Sequence, residues 1–217
     1  MLLTSQLAKW LSTEYNDMPK LRRQLLDAAA QAFTNYGYKA ASIDLIAKKL
    51  DVTKGSVYYY YKNKAELFYA VHERAMNINL KAIAPIALNT SVSASERLYQ
   101  MSHRHVLIMM NEFYYQRVTV QGVEQHQLQS STKAERIALK NLIDMRDAYE
   151  KLFVQVIQDC LENKSNQTID PGLAAKSILG SLNWVTVWYR PQKEEQSVFK
   201  EKVADQLARQ AVASIKI

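Results

Sequence analysis

The strongest constraint on this chain is a close succession of apolar stripes at helical spacing between residues 19 and 61. Leu21, Leu25, Ala28, Ala29, Ala32 and Phe33 share one face of a helix that stops at Gly37. Pro19 suits the start of that helix, because it has no N–H to satisfy there. Ser42, a good N-cap, opens a second segment with Ile43, Ile46, Ala47 and Leu50 on one face. Thr53 opens a third, short segment that reaches Tyr61. Two short helices so close in sequence cross at short range. They need a small residue at the crossing, a turn residue, and apolar positions beyond it. Ala47, Asp51, and then Val52 and Val57 meet those needs, and the outline is a helix-turn-helix.

The remainder also follows a helical period, and only five Gly and four Pro are available for turns, far too few for an all-β fold. An all-α fold is expected. Residues 1–18 carry Leu3, Leu7, Trp10 and Leu11, a stripe expected to form a short helix packed on the following domain, with a frayed tail as the alternative. Asn63 with Glu66 reads as a capping box that launches a long helix, ended by Pro85, with a seam at Asn89-Thr90-Ser91. From Ser95 to about Gln116 run Leu98, Met101, His105, Ile108 and Met109. Lys133 to Asn163 carries Leu142, Arg146, Tyr149, Phe153, Val156 and Cys160. Asp170-Pro171 caps the next helix, and a last one places Phe199, Val203, Leu207, Ala211 and Ile215 four residues apart.

Charge is uneven along this frame. Of the net +7, residues 19–66 hold +5, from nine basic and four acidic side chains, leaving +2 for the other 169 residues. A basic front end on a near-neutral body is the footprint of a nucleic-acid-binding module joined to something else. A solvated basic surface has the same composition. Other classes lack support. One cysteine, Cys160, excludes a disulfide framework, and no apolar run approaches the ~18 residues of a membrane span. His72-Glu73-Arg74-Ala75-Met76 begins like a zinc-protease motif, but Met76 replaces the second histidine. No metal, cofactor or catalytic residue is expected, and without a signal peptide the protein reads as cytoplasmic.

At residue level the front segment resembles the TetR-type transcriptional regulators. The match runs through Ile46-Ala47, Leu50, Val52 to Tyr58, Tyr61 to Lys64 and Leu67-Phe68. Asp51 stands where the family usually has Gly, and Asp visits left-handed turns more readily than most residues. Tyr61 stands where Phe is usual, so its hydroxyl needs a partner or water. The resemblance implies that Ser42 and Thr53, at helix starts, bind phosphate. It places Lys54, Gly55 and Ser56 at the major groove, with Lys54 donating to guanine and Gly55 permitting close approach. Tyr58, Tyr59 and Tyr60 then touch phosphate or base edges, and Lys64 a phosphate. Four consecutive tyrosines cannot all face inwards, so Tyr61 and in part Tyr58 are expected in the core, with Tyr59 and Tyr60 exposed. The domains expected are an extension at 1–18, a helix-turn-helix domain at 19–68 and a ligand-binding and dimerisation domain at 69–217.

In the body, the helix after Pro171 has two uncharged faces: Ala175, Ile178, Leu179, Leu182 and Tyr189 on one, Ser177, Gly180, Ser181, Trp184 and Trp188 on the other. Such a helix is buried on both sides. It can pack within the subunit and also meet a partner, with the last helix completing a four-helix seam across a two-fold axis. Leu179, Leu182, Phe199, Val203, Leu207 and Ala211 are the interface candidates; a monomeric core is the alternative. Arg146 sits within an apolar stripe, so either an acid pairs it or it awaits an anionic ligand. Met101, Met109 and Met110 with Tyr114 and Tyr115 suit an adaptable cavity wall. The fragments Met145 to Glu150 and Asn183 to Pro191 are similar to TetR members that sense acyl-CoA thioesters. The effector residues so implied are Arg146, Tyr149, Asn183, Trp184, Trp188 and Arg190. The expectation is therefore a homodimeric repressor on a pseudo-palindromic DNA operator, released by a lipophilic, acyl-CoA-type effector. A regulator answering a cationic or aromatic lipophile, or one with no ligand, is the alternative.

Overall fold

Side-chain caps decide where the helices of this protein begin. The computed structural model describes residues 7–8, 10–11, 15, 17–127, 132–162, 169–192, 194 and 196–215. In it, Ser42 Oγ accepts from the Leu45 N–H at 3.1 Å and Thr53 Oγ1 from the Ser56 N–H at 3.2 Å. Asn63 Oδ1 accepts from Glu66 N–H, while the Glu66 carboxylate reaches back to Lys62 N–H, both at 2.8 Å. Asp170 Oδ1 accepts from Leu173 N–H at 2.7 Å, with Pro171 at the helix start. Each bond satisfies a donor that a first helical turn leaves unpaired. Ser93, two residues before the expected start at Ser95, caps its helix through Glu96 N–H at 3.2 Å.

The elements are α1 (Lys20–Ala40), α2 (Ile43–Lys49), α3 (Lys54–Tyr60), α4 (Lys64–Ala87), α5 (Ala94–Asn111), α6 (Phe113–Gln127), α7 (Lys133–Leu161), α8 (Pro171–Asn183), α9 (Val185–Trp188) and α10 (Ser197–Ala213). No strand occurs among the described residues, and none of their helices is long and apolar enough to cross a membrane. Gly37 kinks α1 with φ 74°, a left-handed backbone open to glycine at little cost. Pro85 does not end α4, which continues to Ala87. So late in the helix proline removes one interior bond, and Leu88 N–H to the Ala84 carbonyl at 3.0 Å still closes the last turn. The chain divides into two compact units, residues 1–77 with 114–145 and residues 78–113 with 146–217. The expected seam at Asn89-Thr90-Ser91 is thus a loop inside the second unit.

The first unit is built on the stripe of α1. Leu25, Leu26, Ala29 and Phe33 bury against Ile46 and Ala47 of α2, Val57 of α3, and Leu67, Phe68 and Val71 of α4. Phe68 meets the Phe33 ring edge-on at 5.2 Å and the Tyr38 ring at 4.8 Å. The N-terminal extension belongs here: Leu7 and Trp10 are buried, and Trp10 Nε1 donates to Asn141 Oδ1 at 3.2 Å. Tyr115 also joins this core, with Tyr114 packed against it. The methionines of α5 belong to the second unit, whereas the pair packs within the first. Their hydrogen bonds explain it, since Tyr115 donates to Asp27 at 2.7 Å and the Tyr114 carbonyl accepts from Thr34 at 2.9 Å.

In the second unit α10 lies along α5. Ala204, Ala208, Ala211 and Ile215 face inwards, and the small alanines let the two helices approach closely. Tyr99 on α5 donates to Asp205 on α10 at 2.6 Å, and Arg209 pairs with the same carboxylate at 2.9 Å. Arg97 is the buried arginine of this unit, 6% exposed, donating to the Ala87 carbonyl at 2.9 Å and to Asp159 at 2.8 Å. Removing one partner of a buried ion pair strands the other. Arg97→Met should therefore lower stability by about 2–3 kcal/mol, read as a drop in the urea midpoint at unchanged slope.

Candidate nucleic-acid interface

The turn between α2 and α3 is made by one residue in an unusual conformation. Asp51 has φ 54°, the left-handed region expected of it, and the Val52 N–H returns to the Ala47 carbonyl at 3.1 Å. This reversal sends α3 across α2 with Ile46 and Val57 fully buried between them. Helical arithmetic then orients the tyrosines. Tyr60 lies within about 60° of Val57, whereas Tyr58 and Tyr59 lie about 100° and 200° away. Tyr61 enters the core as expected, but Tyr58 is exposed and Tyr60 is half-buried against the core, reversing the expectation for that pair. Tyr59 is 82% exposed, its ring edge-on to Tyr60 at 4.9 Å.

The outer face of α3 thus presents Lys54, Gly55, Tyr58 and Tyr59 to solvent. Lys54 is held by Asp44 of α2 at 2.7 Å, both side chains more than half exposed. The pair orients the ammonium, yet is open enough to yield to a stronger anion. Ser42 is exposed at the start of α2, and Ser56 Oγ lies 3.0 Å from Thr53 Oγ1, so both α3 hydroxyls are engaged in capping. Lys64 is placed differently from expectation. Its ammonium donates to the carbonyls of Tyr38, Lys39 and Ala41 at 2.8, 3.2 and 3.0 Å, with the Tyr38 ring 4.5 Å away. An ammonium has three donors, and all are engaged, so Lys64 ties α4 to the end of α1 instead of reaching a phosphate. Lys48 and Lys62 stay exposed beside this surface, a source of positive potential that motif reading passed over.

Two exposed tyrosines, a bare glycine and a lysine held by an ion pair thus lie on the second helix of a helix-turn-helix, the element that such motifs present to DNA. Comparison with known proteins decides the family. Residues 25–71 match the family model of bacterial regulatory proteins of the tetR family, and residues 91–215 match that of the tetracyclin repressor-like C-terminal domain. The chain belongs to the TetR family. This TetR-family regulator is 26% identical to the uncharacterised HTH-type transcriptional regulator YhgD of Bacillus subtilis, over 84% of its own length and 90% of the relative's. It is 24% identical to the fatty acid metabolism regulator protein of the same organism, over 76% and 81%. Its fold matches the crystal structure of AibR in complex with isovaleryl coenzyme A and operator DNA, with TM-score 0.68, 19% identity and coverage of 89% and 96%.

The regulator's second unit contains a buried polar triad that motif reading did not single out. His105 of α5 is 2% exposed, its Nδ1 2.6 Å from the Tyr149 hydroxyl and its Nε2 3.0 Å from Asn183 Oδ1. Asn183 Oδ1 only accepts, so Nε2 carries the proton and Nδ1 accepts from Tyr149. Burial pushes the His105 pKa down to about 4, against the hydrogen bond it donates to Asn183, and burial holds the Tyr149 hydroxyl protonated. The other effector candidates do not converge there. Arg146, expected within an apolar stripe, is exposed beside Asp147 at 3.8 Å. Met145, Ala148 and Tyr149 fill the interior at that turn, and a guanidinium left at the rim avoids the cost of desolvation. Arg190 is exposed and donates to the Val187 and Tyr189 carbonyls at 2.8 and 2.7 Å. Trp184 and Trp188 are 62% and 44% exposed.

The interface candidates also divide. Leu182 and Ala211 are buried within the protomer, because α8 and α10 turn those positions towards their own unit's core. Leu179, Val203 and Leu207 are half-buried, and Phe199 is exposed. What α8 and α9 leave in solvent is the other stripe, Ser177, Gly180, Ser181, Trp184 and Trp188, with Leu173.

Two outcomes follow from these placements. A Cβ at Gly55 would meet only Thr53 Oγ1, at an ordinary 3.6 Å. Gly55→Ala should therefore stabilise the fold by about 0.5–1 kcal/mol while weakening binding to operator DNA, as thermal unfolding and mobility shift together would show. His105, depressed below its unfolded value near 6.5, contributes stability that is complete above pH 6.5 and is lost as pH falls through about 4. Urea unfolding from pH 7 to 4 should show roughly 3 kcal/mol more loss in wild type than in His105→Gln.

Proposed function

We propose that the protein is a repressor that binds a pseudo-palindromic operator as a homodimer and is released by an acyl-CoA-type effector. The exposed α3 face of Lys54, Gly55, Tyr58 and Tyr59 carries the DNA half of the reading. The domain roles follow the family resemblance, with DNA binding in residues 19–68 and effector binding and dimerisation in 69–217. A two-fold partner suits the apolar stripe of α8 and α9, since contiguous exposed apolar surface of that kind marks an interaction site. Trp184 and Trp188 accordingly move from the effector set to the dimer face, joined by Phe199.

The effector reading draws on the similarity to a fatty acid metabolism regulator and on the fold shared with a regulator solved with isovaleryl coenzyme A. Tyr149 and Asn183, bonded to His105 among Met101, Met109 and Phe153, offer polar anchors in an apolar interior. Exposed Arg146 and Arg190 suit the phosphates of a coenzyme. A ligand switches the protein only if it binds better to the geometry that does not fit DNA. Residues of both units lie on α4, which supplies a covalent path for such a change.

The test is a mobility-shift titration on DNA from upstream of the protein's own coding region, with random duplex as control and acyl-CoAs, free fatty acids and cationic lipophiles as effectors. Release by acyl-CoA, blunted in Arg146→Met, is expected. Equal binding to both duplexes overturns the DNA reading, and release by cationic lipophiles alone moves the effector to that class. Trp184→Glu should sediment as a folded monomer with weakened operator binding.

A further inference from the structure

Four buried polar atoms without a partner among the described residues converge on one cavity of the first unit. They are Arg22 Nε, Tyr61 OH, Arg74 Nε and Asn77 Oδ1, and the cavity they line measures about 240 Å³. Unsatisfied buried polar groups are few in native proteins, and each calls for an explanation. Such atoms occur elsewhere among the described residues, at Arg97 and Ser102 for example, but here four line one cavity. Tyr61 and Asn77 are only 2% and 5% exposed, so bulk water does not reach their polar ends. Both guanidinium groups are held in place by rings: Arg74 lies 3.9 Å from the centre of Tyr15, and Arg22 lies 5.7 Å from that of Tyr61.

The charge and the donor set define what fits. Arg22 and Arg74 bring two positive charges to the cavity, and Glu73, whose side chain is exposed, brings one negative. The donors are two guanidinium N–H groups and a phenol, and the Asn77 amide can turn either end to a guest. Guanidinium groups favour oxygen anions, which accept charge-assisted hydrogen bonds. We propose that this cavity is a binding site for a small oxyanion, a phosphate or a carboxylate, seated against the hydroxyl of Tyr61. Burial pushes the Tyr61 pKa up, against the nearby Arg22 guanidinium, so the phenol keeps a proton that it can offer to a guest. The site is separate from the acyl-CoA reading and does not depend on it. Tyr61 is also the residue that ends α3, so a guest there touches the foot of the recognition helix.

The test uses the full-length protein, titrated calorimetrically with sodium phosphate and with sodium acetate against sodium chloride at constant ionic strength. Thermal unfolding is followed in the same buffers. A saturable site, one per chain, is expected with at least one of the two oxyanions, together with a higher Tm than in chloride. Response to phosphate alone assigns a phosphate guest; response to acetate assigns a carboxylate. Tyr61→Phe should fold with a Tm in chloride equal to or above wild type, because it removes a stranded hydroxyl, and should bind the anion about tenfold more weakly. Arg74→Gln should abolish the response, and Tyr61→Phe alone decides if that variant does not fold. Lys54→Ala, on the DNA-facing surface, should respond as wild type does. A wild type that behaves identically in all three salts overturns the proposal, as does a Tyr61→Phe variant that binds as tightly as wild type, or a response lost in Lys54→Ala.

Discussion

The two short helices of the helix-turn-helix cannot stand alone. α2 and α3 have seven residues each, about half the length at which an isolated helix becomes marginally stable in water. They persist because Ile46 and Val57 are fully buried in a core supplied mainly by α1 and α4, and because hydroxyl caps satisfy the first turn of each. The left-handed Asp51 then fixes their crossing. That dependence explains why so much of the first unit is scaffold. Asp27 accepts from both Tyr15 and Tyr115, at 3.0 and 2.7 Å, which joins the N-terminal extension, α1 and α6 through one carboxylate.

What could be read from the chain was whatever is settled within one helical turn. Ser42, Thr53, Asn63 and Asp170 cap their helices because a side-chain oxygen three residues before an N–H finds it with little help from the rest of the fold. The turn at Asp51 and the inward Tyr61 follow from equally local rules. The misplacements share the opposite property. Whether Arg97 or Arg146 is buried depends on where Asp159 lies, 62 residues beyond Arg97. Lys64 was assigned to DNA because its three carbonyl partners lie some 25 residues earlier in the chain. The apolar period of α10 found only part of the face that a neighbouring helix covers: Phe199 is exposed and Val203 and Leu207 are half-buried. That helix is α5, through alanines whose small size carries little weight in a hydrophobic count.

Both units combine satisfied and stranded polar groups in their interiors. In the second, His105, Tyr149 and Asn183 satisfy one another, and Arg97 is answered by Asp159 and a carbonyl. Satisfied networks of this kind favour one arrangement of helices, because a shifted neighbour would leave a donor or acceptor unmatched. In the first, polar atoms around Tyr61 remain without protein partners. The second unit also leaves Arg97 Nε and Ser102 Oγ without partners among the described residues, and the first adds straps at its edges, Lys64 among them.

One of those straps has a dynamic consequence. By holding the carbonyls of Tyr38, Lys39 and Ala41, Lys64 closes the segment containing α2, the Asp51 turn and α3 into a loop clasped at its base. Neither short helix can persist without the other, so the clasped segment has no stable half-open form. Its amides should exchange with solvent as a single cooperative block, released when the clasp and the Val57 contact give way together.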